Sequence, residues 1–437
     1  MKSGRQEVFE MYKYKADVSG IAKLQAIIII AVVVIAAVVG AIYYVFWMRT
    51  PEKTEILIGG SIALSGGEVE PALGIWAGIM AAVEEINTRY GGIYVPELGK
   101  KLPVRYIYYD DENDAGKAAT YYERLITVDK VDFVVTCFND ANLLAATTIC
   151  EKYRMPIICA GAVSTEITAR GLKYTFDYFL KVTSWSEVYV EFFDWLRKNV
   201  PPEVAPKRIA CLNTNDDLIV FGPKIKELAE KIGFEVPYVR DYPEPGTEDF
   251  TPFILDMKRL NIDIVATCGH LNDILMLTRQ MVELGFCPKM LIYTGMSFFS
   301  PSLKEALGKY MEEVVGWYSE PLTPELAAEI DRINAICRKY YERMMPGTVP
   351  PAFTTVFILK EAIEHVGLDR EKVREYIATT TFTFPWESKP IKFDEKGLAS
   401  QISRCVAQIQ NGQYVRVWPP EYKEADLIYP MTPWDKR

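Results

Sequence analysis

Residues 54–87, TEILIGGSIALSGGEVEPALGIWAGIMAAVEEIN, limit the folds open to this chain more than any other stretch. An apolar run, Ile56, Leu57 and Ile58, passes through Gly59 and Gly60 and breaks at Ser65, Gly66 and Gly67. Apolar residues then recur at intervals of three and four: Leu73, Trp76, Ile79, Met80, Val83 and Ile86. That order reads strand, loop, helix. The helix has one stripe to bury, and Glu84 and Glu85 are expected on its solvent face. A glycine-rich loop ahead of a helix either offers backbone N–H donors to a polar ligand group or simply turns the chain tightly.

The unit repeats. Strands are expected over 104–109, 133–137 and 155–159, with helices over 115–128 and 142–153. A second cycle starts at Lys207, with strands over 208–213, 236–242, 264–268, 290–294 and 314–317 and helices over 223–232, 250–260 and 274–284. Continuous apolar strands alternating with helices require parallel sheets covered on both faces. The predicted fold class is therefore α/β, with two doubly wound parallel-sheet lobes. Ligands of such sheets bind at the strand ends, here in the cleft between lobes.

Composition narrows the function. The chain has 437 residues, 49% of them hydrophobic, enough for two lobes with full cores. The net charge of −9 comes from dispersed carboxylates, and without a basic run nucleic acid is not an expected partner. Two histidines, His270 and His365, and the lack of G-x-S-x-G, Walker A and H-E-x-x-H patterns argue against an enzyme. Eight scattered cysteines form no C-x-x-C or Cys/His cluster, so no metal or cofactor is expected, and they read mostly as buried thiols. The pairs Asp110-Asp111 and Asp216-Asp217 read as solvated surface, since neighbours on a strand point to opposite faces.

Residues 24–48 carry no charge and are long enough to cross a bilayer as a helix. Tyr43, Tyr44 and Trp47 gather at its far end, and Lys2, Arg5, Lys13, Lys15 and Lys23 precede it, which keeps a tail of residues 1–23 inside and places the rest outside the cell membrane. A cleaved secretory signal is the competing reading, but the apolar run is longer than an ordinary signal core. Basic tail, Gly20 and long apolar run also resemble archaeal pilin-type leaders, which implies cleavage after Gly20 with the helix retained.

Several segments together carry a resemblance: Ser65-Gly66, Ile86-Asn87, YDDENDAGKAA over 109–119, CAGAVSTEIT over 159–168, KRIACLNTNDDLIVFG over 207–222, and KFDEKG over 392–397. In this order they resemble the branched-chain amino acid and amide substrate-binding proteins of ABC transporters, of the periplasmic binding protein type I fold. The resemblance implies two lobes joined by three hinge crossings, near Lys181, near 319–322 and near 394–401. Lobe one is then 54–181 plus 322–394 and lobe two 182–321 plus 395–420, with 421–437 a C-terminal extension. It also implies a small-molecule ligand and ABC permease and ATPase partners. A sensory ectodomain coupled to a separate signalling subunit is the alternative, to be separated by whether importer or signalling subunits are encoded alongside.

In relatives that bind an amino acid, lobe one offers hydroxyls and backbone N–H groups to the carboxylate, and lobe two an aromatic ring and an acidic partner for the ammonium. The resemblance carries these roles onto Asp140, Ala141 and Asn142 at one loop, and Ala162, Val163 and Ser164 at the next. In lobe two it carries them onto Phe221, His270 and Met296. Asp140 stands where relatives have a serine cluster, or else caps its own helix. Met296 stands where relatives hold the ammonium with glutamate, and an ammonium buried there without a counter-charge loses roughly 2–5 kcal/mol. A free branched-chain amino acid is thus not the expected ligand; an amide, an aromatic acid or another uncharged solute is.

Overall fold

The computed structural model describes residues 20, 23–41, 53–66, 69–216, 218–243, 247, 249–318, 323–343, 350–399 and 405–437. Tyr43, Tyr44, Trp47, Asp217, the crossing at 319–322 and positions 400–401 of the third crossing lie outside the described residues, as does the side chain of Met296. Within the apolar N-terminal segment, Lys23–Ala41 forms one helix of 19 residues, long and apolar enough to cross a membrane.

The first sheet is parallel, with Ile56–Ile62 between Val104–Asp110 and Phe133–Val134. A second parallel pair, Ile157–Cys159 with Thr175–Asp177, continues the same layer of strand and helix. The expected strand over 133–137 is shorter, because beyond Val135, whose N–H still reaches Gly59 O at 2.9 Å, the chain leaves the ladder. Helix Val69–Thr88 covers this sheet, burying Ile75, Ile79, Val83 and Ile86. Glu85 does not reach solvent as expected: it is 3% exposed and holds Arg89 at 2.9 Å and Arg332 at 2.8 Å. Helices Pro324–Cys337 and Pro351–Val366 cover the face that the isolated stripe would leave wet. The approach of the second is close: a Cβ on Gly78 would lie 2.7 Å from Pro350 Cβ and 3.2 Å from Phe353 N. Gly66 turns the chain at φ +85°, where a Cβ would meet Glu112 O at 2.5 Å.

The second sheet has seven strands. Val315–Tyr318, Met290–Tyr293, Ile264–Cys268, Arg208–Thr214 and Glu235–Tyr242 are parallel in that spatial order. Cys405–Gln410 and Gln413–Trp418 add an antiparallel hairpin at the edge. Its two-residue turn, Asn411-Gly412, has φ of 51° and 72°, the pairing that a type I′ turn demands.

Core side chains divide the same way. One cluster draws on residues from Ile56 to Tyr178 and again from Leu326 to Phe393, and two others on residues from Val182 to Tyr318 and from Val406 onward. The C-terminal stretch joins the latter: Met431 and Trp434 are buried, and Trp434 Nε1 donates to Phe286 O at 2.7 Å. All eight cysteines are unpaired thiols, seven of them buried, and burial pushes Cys337 up to about 12.

Beside the first crossing, the half-buried Glu387 lies between Tyr178 and Thr354, whose Oγ1 donates to it at 2.6 Å, and desolvation of its carboxyl pushes it up to about 7. The folded protein thus keeps a proton that the unfolded chain releases near pH 4.5, so the favourable contribution is complete below that pH and lost as pH rises through 7. Glu387→Gln should therefore stabilise the domain at pH 8 by roughly 1–3 kcal/mol and change little at pH 4.5. Urea unfolding at the two pH values checks this; equal effects at both would contradict the assignment.

Candidate functional site

Parallel strands deliver their loops to one edge, and on lobe one those loops are laced by carboxylates. Asp110 accepts from Leu64 N at 3.0 Å, Ser65 Oγ at 2.6 Å and Glu112 N at 3.0 Å. Asp111 is fully buried and accepts from Ser61 Oγ at 2.6 Å and Asn113 N at 3.1 Å; burial raises its pKa. Asp111 is therefore not solvated surface, whereas Asp110 stays partly exposed while it ties the 64–65 turn to Glu112.

The loop over 139–142 meets the loop over 161–164. Asn139, at φ +65°, caps helix Asp140–Lys152 by accepting from Asn142 N at 2.8 Å. The cap expected of Asp140 is thus supplied one residue earlier. Asp140, 4% exposed, turns its carboxylate across to the second loop, where Oδ1 accepts from Ser164 N at 2.7 Å and Oδ2 from Val163 N at 3.2 Å. Ser164 Oγ in turn accepts from Glu166 N at 3.0 Å. Ala162 is buried and its carbonyl accepts from Lys181 Nζ at 3.0 Å; Lys181 also pairs with Asp177, both buried. Burial pushes Asp177 up to about 6, with Lys181 pulling it back and the charge of Asp140 pushing it further. Asn142 is buried beside Asp111, whereas Ala141 on the next position is exposed.

On lobe two, His270 precedes helix Leu271–Glu283, and its Nε2 lies 2.6 Å from Asp216 Oδ2. Asp216 also accepts from Thr214 Oγ1 at 2.6 Å and Leu218 N at 3.0 Å. Against the desolvation of its partly buried site, these bonds hold the Asp216 carboxyl below its ordinary value, so it too is a structural group rather than loose surface. Met296 opens the turn Met296–Phe299, which Ser297 ties to the His270 loop through Oγ donating to Gly269 O at 2.7 Å. Phe221 is not at this edge: it is 0% exposed, its ring edge-on to Tyr189 at 6.2 Å, in the core of lobe two. As the first residue of helix Phe221–Lys231 it falls on the sheet-facing side.

The two lobes touch at two places. Glu70, in the first turn of helix Val69–Thr88, accepts from Ser302 Oγ and lies 3.4 Å from Ser300 Oγ. Val163 packs on the lobe-two core and its carbonyl accepts from Val182 N at 3.0 Å. The geometry thus brings together Asp140, Ala162, Val163 and Ser164, and separately His270 with the Met296 turn. Sequence reasoning missed Lys181, Asp177 and Glu70. A D-x-x-x-K spacing is ordinary on exposed helices and carries no mark of burial.

Removing one partner of the buried pair leaves the other charge uncompensated. Lys181→Met should destabilise the domain by about 3–5 kcal/mol, and Lys181→Met with Asp177→Leu should recover part of that loss. Denaturant unfolding of both variants tests this; a single variant as stable as the parent would show that the pair carries no weight.

Comparisons with known proteins agree with this geometry. The periplasmic binding protein family model matches residues 55–412. The Leu/Ile/Val-binding protein homolog 7 of Brucella melitensis is 24% identical over 399 residues, covering 87% of this chain and 96% of the relative. The branched-chain amino acid transporter substrate-binding protein LivJ of Streptococcus pneumoniae, solved with isoleucine, superposes with a TM-score of 0.69 at 18% identity, over 86% of this chain and all of that one. A solute-binding protein of an ABC transporter from R. palustris, solved with benzoate, superposes at 0.66 with 16% identity, over 83% of this chain and 95% of that one. Lobed sheets, loop edges and a family match running through both lobes lead to one conclusion: the chain belongs to the periplasmic binding protein family.

Proposed function

We propose that this chain is a membrane-anchored receptor that faces outward, captures a small organic solute between its lobes and delivers it to the permease of an ABC importer. The observation that carries the reading is the meeting of two strand-end loop edges across one cleft, bridged from Glu70 to the Ser300 and Ser302 hydroxyls. Such a contact can form and break with hinge closure, the motion by which two lobes enclose a solute. The helix Lys23–Ala41 supports the anchor, and the basic residues before it support the orientation. Binding, not catalysis, is the activity proposed.

The solute we infer is not a free branched-chain amino acid. A methionine at position 296 brings no negative charge to pair with an ammonium, and Asp216, whose partner His270 follows the Gly269 that Ser297 holds, is already engaged. Stripping water from an ammonium without an anionic partner costs several powers of ten in affinity.

Protease added to intact cells should digest the domain after residue 53; full protection would overturn the topology. In a thermal-shift screen of amides, ureas, sugars and aromatic and amino acids, at least one solute should raise the melting temperature, because binding to the folded state alone stabilises it. Isoleucine should not. A silent screen would count against capture, and micromolar isoleucine binding would contradict the charge argument.

A further inference from the structure

At the lobe-one edge, several described donors that could hold an anion are already engaged. Leu64 N and Ser65 N go to Asp110, Asn142 N to Asn139, and Glu166 N to Ser164 Oγ. Val163 N and Ser164 N go to the two oxygens of Asp140. The buried cation beside them, Lys181, is held between Asp177 and the Ala162 carbonyl. Lys181 is thus paired with Asp177, Asp140 is held by backbone N–H groups, and Asp111, also buried, adds a third acidic group.

A bidentate arrangement of two successive N–H groups on one carboxylate is the arrangement that a ligand carboxylate would make with the same loop. We propose that Asp140 sets the solute class by filling this donor pair with the chain's own carboxylate, so that the cleft takes solutes presenting a neutral or hydrogen-donating group, such as a carboxamide, and refuses carboxylates, aromatic acids included. The proposal rests on the reading of the interlobe cleft as the solute site. A solute carboxylate would have to displace a buried, doubly hydrogen-bonded group or sit against it, and like charges at close range in a dry site repel strongly. A carboxamide carries no charge and meets no such repulsion.

The test uses the full chain in detergent and has two arms. In the first, Asp140→Ala vacates the donor pair, so acetate should raise the melting temperature of the variant by several degrees over sodium chloride at equal ionic strength, and leave the parent unmoved. In the second, matched probes that differ only at one group, isoleucinamide against isoleucine and benzamide against benzoate, are titrated into the parent and into Asp140→Asn. The parent should favour the amide of whichever pair binds by at least tenfold, and the preference should fall toward equality in Asp140→Asn, which keeps an acceptor oxygen and guards against a variant that fails to fold. Acetate acting equally on parent and variant, or an acid binding the parent as tightly as its amide, overturns the proposal. If Asp140→Ala does not fold, hydrogen exchange at Val163 and Ser164 decides the first arm: protection in the parent and loss of it in Asp140→Asn supports the filled donor pair, and rapid exchange in the parent overturns it. Acetate rescue with no binding by any of the four probes or by the wider solute screen overturns the cleft reading and upholds the filled donor pair.

Discussion

The buried pair Asp177–Lys181 ties several segments of this molecule to one point. It lies where the chain leaves the first core, and the backbone of Asp177 is bound on both sides to the third crossing: its N–H donates to Gly397 O at 2.7 Å and its carbonyl accepts from Ala399 N at 2.9 Å. Lys181 then reaches the Ala162 carbonyl, and Val182 N the Val163 carbonyl, so the 161–164 loop hangs from the first crossing. An isolated buried ion pair adds little net stability, because desolvation offsets the attraction. Its value here is positional. A neutral substitute of similar volume would fill the space but would not hold the crossing and the loop in register.

Seen from this anchor, the acidic groups of the cleft wall have separate duties. Asp110 shapes the 63–66 turn, Asp111 holds Ser61 and the turn at Asn113, and Asp140 links two loops. Each carboxylate is matched to donors, which is the condition under which burial of a charge is tolerated. Lobe two repeats the principle with Asp216, whose partners are His270 and the backbone of its own loop. These loops are therefore pre-organised by their own charges.

Much of this was legible in the sequence. Strand and helix alternation gave both sheets, because apolar runs and three-to-four spacing report directly on burial. The hairpin at 405–418 went unread although Asn411-Gly412 is the strongest short-range hairpin signal, because attention to βα units leaves no place for an antiparallel edge. Glu85 and Phe221 failed for a shared reason: one-dimensional periodicity knows one face of a helix and cannot see a second layer, here helices Pro324–Cys337 and Pro351–Val366 over Glu85, or the core side on which Phe221 falls. The direction of the Asp140 side chain was not legible, since Asn139 and Asp140 are nearly equal as caps by residue type. The choice between them is made by the left-handed backbone of Asn139, a tertiary outcome.

The most direct measurement of the central claim is a crystal structure of the domain with a solute that it binds. The account predicts a closed cleft with the solute between the 139–142 and 161–164 loops on one side and the His270 and Met296 loops on the other, and with Asp140 still accepting from Val163 and Ser164. A solute carboxylate seated on those two N–H groups with Asp140 swung aside, or a solute bound away from both loop edges, would contradict it.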